Sequence, residues 1–162
     1  MKAAVLALGA LVLPAHQGIS AQPARKLPAG SQSDPPDHRP LLLGEVTAEA
    51  ILAHRPAYRD NLAKVKVNAN LKARWAAIRQ PFALVAVFGS WCADSQYHLP
   101  YLLALEAEPN PFIEVHYLGV NRDKKLDPGA WPKGVPPQAL HRVPTFYLFA
   151  TRPGSAQKLV GT

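Results

Sequence analysis

The sequence predicts an α/β domain with a mixed sheet, and three observations lead to this fold class. A continuous apolar run, residues 82–88 (FALVAVF), lies between Pro81 and Gly89 and has the pattern of a strand buried on both faces. A helical pattern follows it, and then a second strand-like segment, residues 112–120 (FIEVHYLGV). Two strands joined by one helix are expected to pair in parallel through a right-handed crossover.

The first 21 residues are predicted to be a secretory signal peptide. Lys2 gives a positive start, residues 3–13 (AAVLALGALVL) form an apolar run, and residues 19–21 (ISA) offer a cleavage site. The run is too short for a membrane span, which needs ~20 apolar residues. We therefore expect an exported protein, periplasmic or secreted, without stable membrane insertion after cleavage.

Two segments follow the predicted signal peptide. Residues 22–44 are rich in proline and are predicted to be a flexible linker, and residues 45–162 are predicted to form the domain. Thr47 is expected to cap a first helix, and Pro56 to end it or to begin a second one. A third helix, residues 71–79, is expected to have Asn70 as its cap and one face of Leu71, Trp75 and Ile78.

The remaining elements complete a sheet of about four strands. A helix over residues 92–108 is expected to kink at Pro100. A long proline-containing loop follows the second strand, then a third strand at residues 145–150 (TFYLFA), a turn at residues 152–155 and a hairpin partner at residues 157–160.

The composition fits one folded domain and limits the partners. The chain has 162 residues, of which 48% are hydrophobic and 18% charged, values that exclude global disorder. The formal net charge is +7, and the basic excess lies between Arg55 and Arg79, opposed there only by Asp60. This band suits either an anionic partner or a solvated helix face, and the second interpretation is favoured. Nucleic acid is not expected as a partner.

Cys92 is the only cysteine of the chain, so it cannot form an intramolecular disulfide. It follows the buried strand and stands at the start of the next helix, where free N–H groups and the helix dipole stabilise a thiolate. The competing interpretation is a small buried thiol without a chemical role. The histidines His98, His116 and His141 lack metal-ligand spacing, so no metal site is expected.

Several motifs in this order resemble the thioredoxin superfamily. They are FGSWCADS (residues 88–95), LP (residues 99–100), GVNRDKK (residues 119–125) and RVPTFYLF (residues 142–149). They are similar to a bacterial thioredoxin-like group that carries W-C-x-D-S or W-C-x-D-C. The resemblance extends over residues 82–162, and it implies a three-layer fold in which helices flank the sheet. It also implies a C-terminal helix after the last strand. The chain ends where that helix would begin, so a truncated domain is one interpretation.

The resemblance also implies site roles. Cys92 matches the exposed nucleophile, and Trp91 matches the tryptophan before it. Val143, Pro144 and Thr145 match the substrate-binding segment, with Pro144 as a cis-proline and Val143 offering its backbone to a bound chain.

The same resemblance places Ser95 at the position of the resolving cysteine. Ser95 cannot resolve a mixed disulfide, although its hydroxyl is able to donate to a Cys92 thiolate. Asp94 opposes a thiolate through its charge and is otherwise suited to a helix N-terminus. The buried acid that serves the resolving thiol in thioredoxins would fall at Ala86, and it is absent.

These residues predict an exported monothiol thioredoxin-like protein. Cys92, Ser95, Trp91 and Asp94 form its expected catalytic set, and an external thiol such as glutathione would complete thiol–disulfide exchange. Its partners would be thiols and disulfides of proteins or small molecules, with no bound cofactor and a monomeric chain. The alternatives are a non-catalytic module that binds extended polypeptide, and a truncated inactive product.

Overall fold

Five strands form the central sheet, and a separate antiparallel pair precedes them in the chain. The computed structural model describes residues 33–34, 39–150 and 158–161. The separate pair is β1 (Ser33–Asp34) and β2 (Arg39–Pro40). The sheet consists of β3 (Gly44–Val46), β4 (Phe82–Phe88), β5 (Ile113–Gly119), β6 (Thr145–Ala150) and β7 (Lys158–Gly161), in the order β3-β5-β4-β6-β7.

The sheet is mixed, as the sequence predicts. β4 pairs with β5 in parallel, while β6 is antiparallel to both β4 and β7. β3 pairs with β5 in antiparallel fashion, and it raises the number of strands above the four expected. Three residues are too few to show an alternating pattern, which is why this edge strand is not visible in the sequence.

Four helices flank the sheet: α1 (Ala48–His54), α2 (Pro56–Leu62), α3 (Ala69–Ala77) and α4 (Ala93–Glu106). The first two begin where the sequence predicts. The Thr47 hydroxyl accepts a hydrogen bond from the Ala50 N–H at 3.2 Å, and Pro56 is the first residue of α2. A proline at this position lacks only an N–H that a helix leaves without an intrahelical partner.

The predicted start of α3 is wrong by two residues. Asn68, and not Asn70, is the N-cap, because the Asn68 side chain accepts from the Asn70 N–H at 2.8 Å. The predicted apolar face is also only partly buried, since Trp75 is 8% exposed whereas Leu71 is 47% exposed. Trp75 is held by its indole N–H, which donates to the Glu108 carbonyl at 3.0 Å.

α4 joins β4 to β5 and continues through Pro100, which is buried. Its apolar side chains pack on one face of the sheet, together with residues of α1, α2 and α3. This first core contains Ile51, Tyr58, Trp75, Ala86, Phe88, Leu99, Leu102, Leu103 and Tyr117.

The opposite face of the sheet is buried by the long segment between β5 and β6. Along β4 the side chains alternate between faces, so that Ala83, Val85 and Val87 point away from α4 into a second core. Leu126, Trp131 and Leu140 of the segment pack on this second core. Both faces of β4 are therefore covered, as its continuous apolar sequence indicates.

The division at residues 21 and 44 stays a prediction. Residues 1–32 and 35–38 lie outside the described residues, as do the predicted turn at 152–155 and Thr162. Within the predicted linker, Leu41 is fully buried. The Leu42 carbonyl lies so close to Gly119 that a Cβ there would overlap it. Among the described residues, no helix combines the length and the apolar character that a membrane span requires.

Candidate active site

Cys92 lies at the junction between the central strand and α4. Its N–H donates to the Gly89 carbonyl at 2.9 Å, which closes the turn after β4. Cys92 is the N-cap residue of α4, with extended backbone angles, and its side chain caps no backbone N–H. The thiol is free and half-buried. A sulfur atom at this position lies at the positive end of the helix dipole, and the residue that carries it is partly exposed to solvent.

The start of β6 lies directly beside this thiol. Cys92 Sγ lies 3.5 Å from the Val143 carbonyl oxygen and donates to it. The antiparallel pairing of β4 with β6 places Thr145 opposite Val87, which brings residue 143 to the end of β4 where the turn to Cys92 begins. The Val143–Pro144 peptide bond is cis. Val143 is 8% exposed, and Pro144 and Thr145 are half-buried.

Ser95 hydrogen-bonds to the loop before Cys92 and not to the thiol. It is fully buried, and its hydroxyl oxygen accepts from the Gly89 N–H at 3.3 Å. Within the described chain, the Ser95 hydroxyl forms no hydrogen bond with Cys92. This hydrogen bond stabilises the turn that leads from β4 to Cys92. A catalytic role for Ser95 stays a prediction.

Trp91 folds back over the start of the loop. A Cβ on Gly89 would lie 2.7 Å from the Trp91 ring, so only glycine leaves room for the indole there. The indole nitrogen is buried without a hydrogen-bond partner. The ring packs on the second core, as Cys92 does.

Arg122 is a residue of this site that the sequence reasoning missed. Its guanidinium carbon lies 5.3 Å from the centroid of the Trp91 ring, a cation–π geometry. Gly119 pairs with Phe88, and the Val120 N–H donates to the Phe88 carbonyl at 2.9 Å. The carboxyl ends of β4 and β5 thus meet at one sheet edge, and this topology is the signal that brings Arg122 to Trp91.

The remaining predicted residues lie around this centre. Asp94 is exposed in the first turn of α4 and forms no hydrogen bond or ion pair with another residue of the described ranges. The Thr145 hydroxyl donates to the Arg142 carbonyl at 2.8 Å. Ala86 is fully buried in the first core, opposite Tyr117 in the sheet register. The site combines one accessible thiol with an adjacent backbone carbonyl.

Within the described residues, none of the three candidate histidines forms a hydrogen bond with Cys92. His116 bridges the edge of the sheet, with Nδ1 2.7 Å from Glu45 and Nε2 3.2 Å from Glu114. His98 is exposed beside Tyr97, and His141 is exposed in the long segment. The described residues contain no group of side chains suited to hold a metal ion.

Comparison with known protein families agrees with this architecture. A family model described as thioredoxin matches residues 44–128. The chain belongs to the thioredoxin family. This thioredoxin match begins at β3, includes Trp91, Cys92 and Ser95, and ends before Val143. Searches of curated proteins and of solved structures found no match. Membership supports a thiol-related or other thioredoxin-fold function in general terms.

Proposed function

We propose that this protein carries out thiol–disulfide exchange as a monothiol thioredoxin-like protein, with Cys92 as its nucleophile. One observation supports the proposal most strongly: the half-buried thiol of Cys92 lies at the N-cap of α4, 3.5 Å from the Val143 carbonyl. A backbone segment beside a nucleophile lets an extended substrate bind by main-chain hydrogen bonds. The W-C-x-D-S pattern of residues 91–95 belongs to the same proposal.

The reaction begins with attack of the Cys92 thiolate on one sulfur of a substrate disulfide. A bond forms between Cys92 Sγ and that sulfur, and the second substrate sulfur leaves as a thiolate that takes a proton from water. Ser95 has no sulfur with which to break the mixed disulfide. An external thiol such as glutathione therefore attacks it, and a second external thiol restores the Cys92 thiolate while the two external sulfurs become a disulfide.

The cellular setting is part of the proposal. A signal peptide at residues 1–21 would direct the protein to the periplasm or the medium, where disulfide substrates persist. We propose that it acts as a monomer on thiols and disulfides of proteins or small molecules, without a bound cofactor and without nucleic acid.

The test is chemical reactivity followed by turnover. Cys92 should be alkylated by iodoacetamide in the native protein, and insulin reduction should depend on added glutathione and be lost in Cys92→Ser. Arg74→Gln, a change at an exposed position of α3 beside the end of α4 opposite to Cys92, is the matched control and should retain full activity. Alkylation only in denaturant would contradict the proposal. Native alkylation without insulin reduction would instead favour a module that binds extended polypeptide.

A further inference from the structure

We infer that the external thiol that resolves the Cys92 mixed disulfide is a small, carboxylate-bearing thiol, and that Arg122 selects it. This inference rests on the proposed function and specifies the partner for the step that Ser95 leaves open. The supporting observation is the position of Arg122. Its guanidinium carbon lies 5.3 Å from the centroid of the Trp91 ring, and Trp91 directly precedes Cys92.

The pairing of β4 with β5 fixes the position of the backbone at Arg122. The backbone hydrogen bond from Val120 to Phe88 ties the end of β5 to the end of β4. The loops that carry Arg122 and Cys92 therefore leave the sheet side by side. The Trp91 ring is itself fixed against Gly89. A guanidinium stacked on a fixed ring loses less conformational freedom when it binds a carboxylate.

Other positive charges lie in the segments that carry Arg122 and Val143. Lys124, Lys125 and Arg142 are exposed, and none of them forms an ion pair with a described residue. Arg142 directly precedes Val143, whose carbonyl contacts Cys92. Asp94 and Asp123 oppose these charges, so positive charge exceeds negative charge in the loops that border the site. Such an excess raises the rate of encounter with anions and repels cations.

Release of the substrate and recovery of free Cys92 are two successive thiol–disulfide exchanges. The external thiolate attacks Cys92 Sγ, its sulfur becomes bonded to Cys92, and the substrate sulfur leaves as a thiolate that takes a proton. A second external thiolate then attacks the sulfur of the first, the two become a disulfide, and the Cys92 thiolate is released. The two external thiols supply the two electrons. In the first attack the carboxylate of the incoming thiol would be held by Arg122 while its sulfur faces Cys92.

The experiment measures how fast each external thiol returns a Cys92 mixed disulfide to the free thiol. Cys92 is first converted to its mixed disulfide with mercaptoethanol, and mass spectrometry follows the return of the free thiol. Three thiols of similar size are compared: mercaptopropionate, which is anionic, mercaptoethanol, which is neutral, and cysteamine, which is cationic. Each rate constant is divided by that of the same thiol with free hydroxyethyl disulfide, which removes differences in intrinsic nucleophilicity.

In the full-length protein at low salt, the normalised rate should be highest for mercaptopropionate and lowest for cysteamine. Arg122→Gln should lower the mercaptopropionate rate about threefold to fivefold, the size expected for one partly exposed charge. It should leave the mercaptoethanol rate within about twofold. Arg74→Gln removes the same charge from the exposed side of α3, beside the end of α4 opposite to Cys92, and should leave the order and the ratios unchanged.

Two results would overturn the inference while the proposed function stands: equal normalised rates for the three thiols, or an equal loss in Arg122→Gln for the anionic and the neutral thiol. The second result would mean that Arg122 acts only by packing on Trp91. Failure of Cys92 to form the mixed disulfide at all would reject the proposed function, and the inference with it.

Discussion

Cys92 Sγ lies 3.5 Å from the carbonyl oxygen of Val143, although 51 positions separate the two residues in the chain. The contact joins the loop after β4 to the segment before β6, and the pairing of these two strands creates it. It places the single thiol of the protein against a backbone carbonyl at the edge where a bound chain would lie.

Ser95→Ala should lower stability more than it changes thiol reactivity. The buried Ser95 hydroxyl accepts from the Gly89 N–H, and its removal leaves that N–H without a partner at a cost of about 1–2 kcal/mol. Urea unfolding should show this loss. The rate of native alkylation of Cys92 should change by less than about twofold, because the hydroxyl forms no hydrogen bond with the thiol. A large fall in alkylation without loss of stability would assign Ser95 to the thiolate instead.

Ser95→Cys should supply the missing resolving thiol. The side chain at position 95 lies three residues after Cys92, in the first turn of the same helix, which is the spacing of a C-x-x-C site. We expect the variant to form an intramolecular disulfide on oxidation and to release bound substrate without glutathione. Thiol titration before and after oxidation gives the readout. Two titratable thiols after oxidation would contradict the expected pairing.

Gly89→Ala should displace Trp91. The added Cβ would lie 2.7 Å from the ring, so the indole must move, at a cost of about 1–3 kcal/mol typical of overpacking. Tryptophan fluorescence should shift and the unfolding midpoint should fall. Gly129→Ala is the control, because its Cβ would meet no atom closer than 3.4 Å. An unchanged fluorescence spectrum and midpoint in Gly89→Ala would show that the ring is not fixed against the loop.

Tyr117 should make the protein sensitive to alkali. Burial, together with the hydrogen bond to Glu106 and the charge of that carboxylate, raises the pKa of the Tyr117 hydroxyl far above its usual value. In the unfolded chain the Tyr117 hydroxyl loses its proton near pH ~10, whereas in the folded protein the same hydroxyl stays protonated at that pH. The stability linked to Tyr117 is therefore fully present below that pH, and it is lost progressively as the pH rises above it toward the folded pKa.

The corresponding variant is Tyr117→Phe. It removes the 2.6 Å hydrogen bond to Glu106 and should cost about 1–2 kcal/mol near neutral pH. Above pH ~10 the difference in unfolding free energy between variant and wild type should become smaller, because the wild type loses stability there and phenylalanine does not titrate. Urea unfolding at neutral and alkaline pH measures both effects. A constant difference across this range would mean that Tyr117 does not cause the alkaline loss.

Local sequence patterns were sufficient to predict most of the helices and strands. The bounds of β4 and β6 agree with the predicted segments, because proline and glycine mark the ends of β4 and proline precedes β6. Thr47 and Pro56 mark the starts of two helices for the same reason, since their effects are local to the backbone. At α3 two asparagines lie close together, and nothing local decides which of them caps the helix.

The sequence by itself determined the elements, the fold class and the one thiol at a helix start, because apolar periodicity and helix-capping residues act over a few neighbouring positions. The tertiary structure decided the rest. The edge strand β3, the contact of Cys92 with Val143 and the packing of Arg122 on Trp91 all depend on which strands lie side by side. Strand order brings together residues that are distant in the chain, and no local pattern records that order.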